Sequence, residues 1–223
     1  MKKDFKITSD GSHTLYIKEL DETYHSKHGA IQEAEHVFVK AGLDYFDQSE
    51  INVLEIGFGT GLNAFLTLLY AHKNNNIINY TGLEAFPLDV ELTSQLNYTT
   101  QLNSSNDEKT LFNKLHSCSW DEKHIIDAHF SLTKIHHKMD AYFPIKEFNI
   151  IFFDAFGPNI QPDMWTKEVF VKMYESLVEG GVLVTYCAKG SVKRTLKEVG
   201  FELESLPGPP GKREMSRAIK RSV

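Results

Sequence analysis

Three short runs hold the residues whose types and spacing could do chemistry. Val53-Leu54-Glu55-Ile56-Gly57-Phe58-Gly59-Thr60-Gly61 places a GxGxG turn between a strand-like and a helix-like run. Glycine lacks a Cβ and accepts positive φ, so this turn lets backbone approach a ligand, and the helix start beyond it offers free N–H groups. The spacing is not the GxGxxG that cradles a pyrophosphate, and no GK[ST] follows. Glu55 would repel a phosphate and suits a cationic group, such as the amino-acid end of S-adenosylmethionine. Phe58 and Asn63 flank the turn and join Glu55, Gly57, Gly59 and Gly61 as candidate cofactor contacts. Glu84 stands at the end of the next strand-like run, where a carboxylate can accept both hydroxyls of a ribose; the plainer alternative is an exposed glutamate at a strand end. Asp154-Ala155-Phe156-Gly157-Pro158 follows the most apolar run of the chain. A carboxylate there can accept an N–H from a primary amine and aim its lone pair, and Phe156 can face a positive charge. The alternative is that Asp154 only caps the following turn.

These residues need a frame. Residues 5–8 and 14–18 flank Asp10-Gly11 and predict a hairpin; a helix follows over 31–41. Strand and helix signals then alternate: strands at 51–56, 77–86, 127–135, 148–156 and 180–188, helices at 61–72, 88–102, 163–179 and 191–199. Residues 103–109 read as a turn or loop, with a further helical turn at 111–116. The last two strands, 201–207 and 213–221, are joined by Pro-Gly-Pro-Pro-Gly-Lys, too short for a crossover, so they should pair antiparallel at a sheet edge. The expectation is a doubly wound, mostly parallel, seven-stranded α/β sheet. Residues 1–48 form an N-terminal hairpin and helix extension packed on a catalytic domain of residues 49–223.

The 223 residues suffice for one such domain, and 41% hydrophobic with 24% charged residues is an ordinary globular composition. No apolar run spans a bilayer and the start has no apolar segment of a signal peptide. Cys118 and Cys187 lack zinc spacing and read as free thiols, so the expected compartment is the cytoplasm. His25 with His28, and His136 with His137, lack a supporting ligand cluster, so no metal is expected. Net charge is −6, yet residues 189–223 hold nine Lys/Arg against four Glu. An acidic body with a basic end is compatible with a polyanionic partner at one edge; the alternative is a solvated surface of mixed charge.

The segments VLEIGFGTGLNAF, GLEAFP, FFDAFGPNIQPDMWT, GGVLVTY and GPPGKREMSRA together resemble the methyltransferase half of the MnmC-type tRNA-modifying enzymes, over roughly residues 8–218. The resemblance implies a class I (Rossmann-like) S-adenosylmethionine-dependent methyltransferase. Its substrate would be the primary amine of 5-aminomethyl-(2-thio)uridine at the tRNA wobble position, giving 5-methylaminomethyl-(2-thio)uridine. It implies Gly57, Gly59 and Gly61 as cofactor loop, Glu84 on the ribose and Asp154 on the acceptor amine. Phe156, Pro158 and Trp165 would shape the substrate pocket, with Tyr24, Ser26 and Glu33 over the active site. Lys212 and Arg213 would contact the tRNA backbone, and Phe156 would stack on the base. The partner would be the anticodon stem-loop, with no FAD and no obligatory protein partner. Residues 127–138 lack the Gly-Asp pair expected near an adenine, so no residue is assigned there. The rival reading keeps the fold and makes the acceptor a small amine or polyamine, as in aminopropyltransferases.

Overall fold

In a computed structural model, described over residues 2–221, the N-terminal extension is a three-stranded antiparallel sheet of β1 (Lys3–Ile7), β2 (His13–Ile17) and β3 (Glu22–Thr23). Asp10 in the predicted turn accepts from Thr8 Oγ1 at 2.7 Å and the Ser12 amide at 3.0 Å. Its other oxygen accepts the Gln32 amide at 3.0 Å, tying the hairpin to the first turn of α1 (Ala30–Ala34). That helix widens into a π-helical stretch, Glu35–Lys40, with the Ala41 amide bonded to the His36 carbonyl. Ala30, Ile31, Ala34, Val37 and Phe38 are buried along it, so the predicted apolar face docks on the main core.

The remaining strands are β4 (Glu50–Ile56), β5 (Ile77–Leu83), β6 (Lys123–Ile125), β7 (Phe130–Ile135), β8 (Phe148–Phe153), β9 (Leu177–Thr185), β10 (Glu202–Pro207) and β11 (Glu214–Ile219). They form one sheet in the order β10-β11-β9-β8-β4-β5-β7-β6. The five central strands are parallel, and the β10–β11 pair closes one edge antiparallel, as its short connection requires. All seven expected strands are present. An eighth, β6, pairs antiparallel with β7 at the opposite edge; at three residues, none of them buried, it carries no readable apolar pattern.

The helices between strands are α2 (Leu62–Asn74), two single turns α3 (Val90–Thr93) and α4 (Tyr98–Gln101), α5 (Asn106–Ser117), α6 (Lys167–Ser176) and α7 (Gly190–Val199). Three expectations change. Residues 88–102 make two separate turns, not one helix. Residues 103–109 are not all loop: α5 begins at Asn106 because Ser105 and Glu108 form a reciprocal capping box. The helix expected over 163–179 is a 3-10 turn (Pro162–Trp165) and then α6, which Thr166 caps; residues 177–179 already belong to β9. Buried side chains cover both sheet faces. Phe65, Tyr80, Phe130 and Phe152 fill one side, and Phe153, Trp165, Phe170 and Leu183 the other. Among the described residues no helix is long and apolar enough to cross a membrane.

Candidate active site

The order of the sheet reverses between β4 and β8, and there the carboxyl ends of two adjacent parallel strands leave a crevice. The strand β4 delivers the glycine turn into it and β8 delivers Asp154, whose amide bonds the Ile56 carbonyl at 3.0 Å. Gly57, Gly59 and Gly61 have φ of 92°, 49° and 69°, so all three positions favour glycine on backbone grounds alone. Space repeats the demand at Gly61, where a Cβ would sit 2.9 Å from the His116 ring. The Gly57 and Phe58 amides both bond the Leu83 carbonyl, which brings the end of β5 alongside the turn. Glu84 then reaches across: one oxygen accepts the Gly59 amide at 2.9 Å and the other the Phe86 amide at 2.8 Å. Two fixed amides leave the remaining lone pairs of a rigidly held carboxylate for a ligand.

A cavity of about 720 Å³ opens above these groups, lined among others by Phe58, Asn63, Glu84, Asp154, Phe156 and Tyr186. Asn63 Nδ2 donates to Asp154 Oδ2 at 2.9 Å and to Glu55 Oε1 at 2.8 Å, bridging two carboxyls. Burial pushes the Asp154 carboxyl up to about 8, with Glu33 adding to the rise while Asn63 and Lys212 oppose it. Burial, then the neighbouring Asp154, likewise holds the Glu55 carboxyl well above the usual carboxylate range. Phe156 and Trp165 fix the segment after Asp154. The indole N–H donates to the Phe156 carbonyl at 2.8 Å, and the Tyr186 hydroxyl donates to the Ala155 carbonyl at 2.8 Å.

The roof comes from both ends of the chain. Tyr24 lies over the glycine turn and packs edge-on against Phe156, with ring centroids 5.3 Å apart. The Ser26 amide donates to Glu33 Oε2 at 2.9 Å, and Lys212 Nζ donates to Glu33 Oε1 at 2.6 Å from the β10–β11 connection. The same ammonium sits 3.7 Å from the centroid of Tyr186. His25 joins roof to floor, contacting Thr14 Oγ1 and Thr60 Oγ1, and burial depresses its pKa to about 4, so the ring is neutral.

The structure therefore brings Gly57, Phe58, Gly59, Asn63, Glu84, Asp154, Phe156, Tyr24, Ser26, Glu33 and Lys212 to one cavity. Other expected contacts lie elsewhere. Glu55 is 1% exposed and sits behind Asn63, so it supports the floor and does not itself face a ligand. Gly61 starts α2 beneath the turn. Trp165 is buried among Phe153, Phe170 and Tyr186 and shapes the pocket only from behind. Lys212 is held by Glu33 on the wall that the cavity shares with a neighbouring depression, on which Arg213 and Pro158 also lie. Sequence reasoning does not single out Tyr186 or His25 as site residues. Tyr186 stands just past an apolar strand run, a weak signal for a strand-end position, and nothing in the local pattern separates His25 from an ordinary loop histidine. Among the described residues no group of three or more His, Cys, Asp or Glu converges as a metal site.

The donor set fits S-adenosylmethionine. Bare positive-φ backbone at Gly57 and Gly59 admits close approach, and Glu84 can take a diol. Asn63 Oδ1, buried without a partner, supplies an acceptor for a cationic end. Beyond Glu84 the lining turns apolar, with Leu83, Ala85, Phe86 and Met139.

Residues 115–221 match the family described as S-adenosyl-L-methionine-dependent methyltransferase. The tRNA 5-methylaminomethyl-2-thiouridine biosynthesis bifunctional protein MnmC of Hydrogenovibrio crunogenus is 31% identical over 211 residues, covering 88% of this chain and 31% of the relative. The protein of the same name from Pseudoalteromonas atlantica is 29% identical over 246 residues, covering 97% and 33%. The chain thus spans about a third of the length of these relatives. Among solved structures, MNMC2 from Aquifex aeolicus superposes with a TM-score of 0.78 at 23% identity, over 100% of this chain and 71% of that one. Spermidine synthase from Thermotoga maritima shares the fold more distantly, with a TM-score of 0.54 at 16% identity, over 99% and 72%. Residues 115–221 thus carry the likeness to S-adenosyl-L-methionine-dependent methyltransferases, and the chain as a whole resembles the methyltransferase half of the MnmC proteins, with a switch-point crevice whose donor set fits an adenosyl ligand with a cationic end.

Proposed function

We propose that the chain methylates the primary amine of 5-aminomethyl-(2-thio)uridine at the wobble position of tRNA, in the cytoplasm. The observation that carries this reading is Asp154: a carboxyl at the end of a buried strand, held by Asn63, with its pKa raised to about 8. A primary alkylammonium must lose a proton before it can attack, and an ordinary carboxylate is too weak a base to take it readily. A carboxylate whose pKa burial has raised toward that of the amine makes the transfer less uphill. In its ionised form, the minor one at neutral pH and the one Asn63 favours, Asp154 has Oδ2 oriented by Asn63, so the other oxygen is left to accept the proton and keep the nitrogen facing the glycine turn. S-adenosylmethionine, when bound there, supplies a methyl group already activated on a sulfonium sulfur. The product forms as a secondary ammonium that carries the charge of the sulfonium, which the Glu33 carboxylate stabilises while Asp154 holds the proton it took. Tyr24 and Phe156 present aromatic surface to the base. The names of the relatives support the choice of tRNA.

A small polyamine is the second reading, favoured by the four carboxylates on the cavity wall, Glu22, Glu33, Glu84 and Asp154. Methyl transfer with labelled S-adenosylmethionine to tRNA from a strain lacking this gene, followed by nucleoside analysis, separates the two. Label in 5-methylaminomethyl-(2-thio)uridine is the expected result. Label found only in an added polyamine would overturn the tRNA reading and keep the enzyme.

A further inference from the structure

We propose that the shallow depression beside the active-site cavity binds a phosphodiester of the acceptor polynucleotide, with Lys189 and Arg213 as its cations; this rests on the nucleic-acid acceptor proposed above. The basic end of the chain does not offer nine free charges. Lys193 pairs with Glu214, Lys212 with Glu33, Arg217 with Glu204, Lys220 with Glu179 and Arg221 with Glu202. Among the described residues Lys189, Arg194, Lys197 and Arg213 have no such partner, and two of these four line the depression.

It lies at the carboxyl ends of β8 and β9, has a volume of about 670 Å³, and shares Glu22, Gly157, Ile160, Tyr186 and Lys212 with the cavity wall. One ligand can therefore occupy both. Lys189 Nζ donates to Asn159 Oδ1 at 2.7 Å, which holds the ammonium at the depression. Arg194 adds charge nearby, its guanidinium lying 3.4 Å from where a Cβ on Gly190 would sit. The carboxylates present are Glu22, which accepts the Thr23 amide, and Glu214, which Lys193 neutralises. The two adjoining hollows thus differ in sign. Apart from Glu33, which Lys212 pairs, the cavity presents Glu84 and the titratable Asp154 to the cationic amine, and the depression presents Lys189 and Arg213 to the anionic backbone that carries it. A free polyamine has no group for the second hollow.

The test measures binding of tRNA lacking the modification to the full chain across a salt series. Lys189→Ala/Arg213→Ala should weaken it about tenfold and reduce the slope of log K against log salt by about 0.7 to 1, the value for one phosphate. Affinity for S-adenosylmethionine should not change, and Lys189→Arg/Arg213→Lys should restore most tRNA binding. Lys197→Ala, with its charge further along α7, should have little effect. Two results overturn the subsite while leaving the functional reading standing, given a wild type that methylates tRNA. One is a double alanine variant with unchanged affinity and slope. The other is an equal loss in Lys197→Ala, which would mean diffuse attraction or a different docking face. A wild type that neither binds nor methylates tRNA overturns both.

Discussion

At neutral pH the folded protein holds a proton on Asp154 that the unfolded chain releases, because the carboxyl sits at about 8 when folded against an ordinary 3.8. The sign is the reverse of a salt-bridged aspartate: with more protons bound to the native state, stability falls as pH rises from about 4 to about 8. Asp154→Asn should remove this burden. Its melting temperature should exceed that of the wild type by a few degrees at pH 8 and the gap should close toward pH 4, while turnover falls by about 10²-fold or more and cofactor affinity is retained. Calorimetry and initial rates check both halves, and unchanged turnover would remove Asp154 from the mechanism. Asn63 favours the ionised form by donating to it. Asn63→Ala should therefore move the acid limb of the pH–rate profile to higher pH, and a limb that stays in place would assign that limb to another group. Asp154 was legible in the sequence because a lone carboxylate ends an apolar strand. Its pKa was not, since that depends first on burial by the folded chain and then on Glu33 and Lys212, which lie 121 positions before and 58 after it.

The elements matter through their ends. Gly59 combines a φ of 49° with a Cβ position 3.3 Å from Tyr24, so Gly59→Val strains the turn and fills the approach to it. Loss of measurable S-adenosylmethionine binding by calorimetry is expected, and retained affinity would count against the glycine turn as the cofactor loop. The capping box at α5 makes a separate prediction. Ser105→Ala should cost about 1 kcal/mol, lowering the melting temperature by about 2–4 °C without altering turnover. The Ser105-x-x-Glu108 pattern was present in the sequence, yet the polar run around it resembled a loop, and α5 fully buries only Phe112 and Leu115, with Leu111 packed beside them. The strand β6 left even less to read, because an edge strand with no buried side chain has no alternation.

Across the whole molecule, the cavity is closed by segments from opposite ends of the chain. Glu33 in the extension and Lys212 in the β10–β11 connection meet at 2.6 Å over Asp154's side of the cavity, and His36 Nε2 lies 2.8 Å from the Pro207 carbonyl. A double-mutant cycle of Glu33→Gln and Lys212→Met should show coupling of about 0.5–3 kcal/mol in stability, as for a partly buried pair; additivity would mean that solvent screens it. The sequence by itself determined the alternating elements of a parallel sheet, its antiparallel edge pair and the three motifs. Those follow from local apolar periodicity, glycine spacing and a connection too short to cross over. Only the tertiary structure decided which polar residues face the ligand. Glu55 and Asn63 share a strand–turn–helix, but burial behind the turn takes one out of the cavity and leaves the other in it. Lys212 and Arg213 are adjacent, but the Glu33 carboxylate, 179 positions away from Lys212, ties one to the cavity wall and leaves the other on the depression alone. Side-chain direction is set by what packs opposite, and a one-dimensional pattern does not contain that.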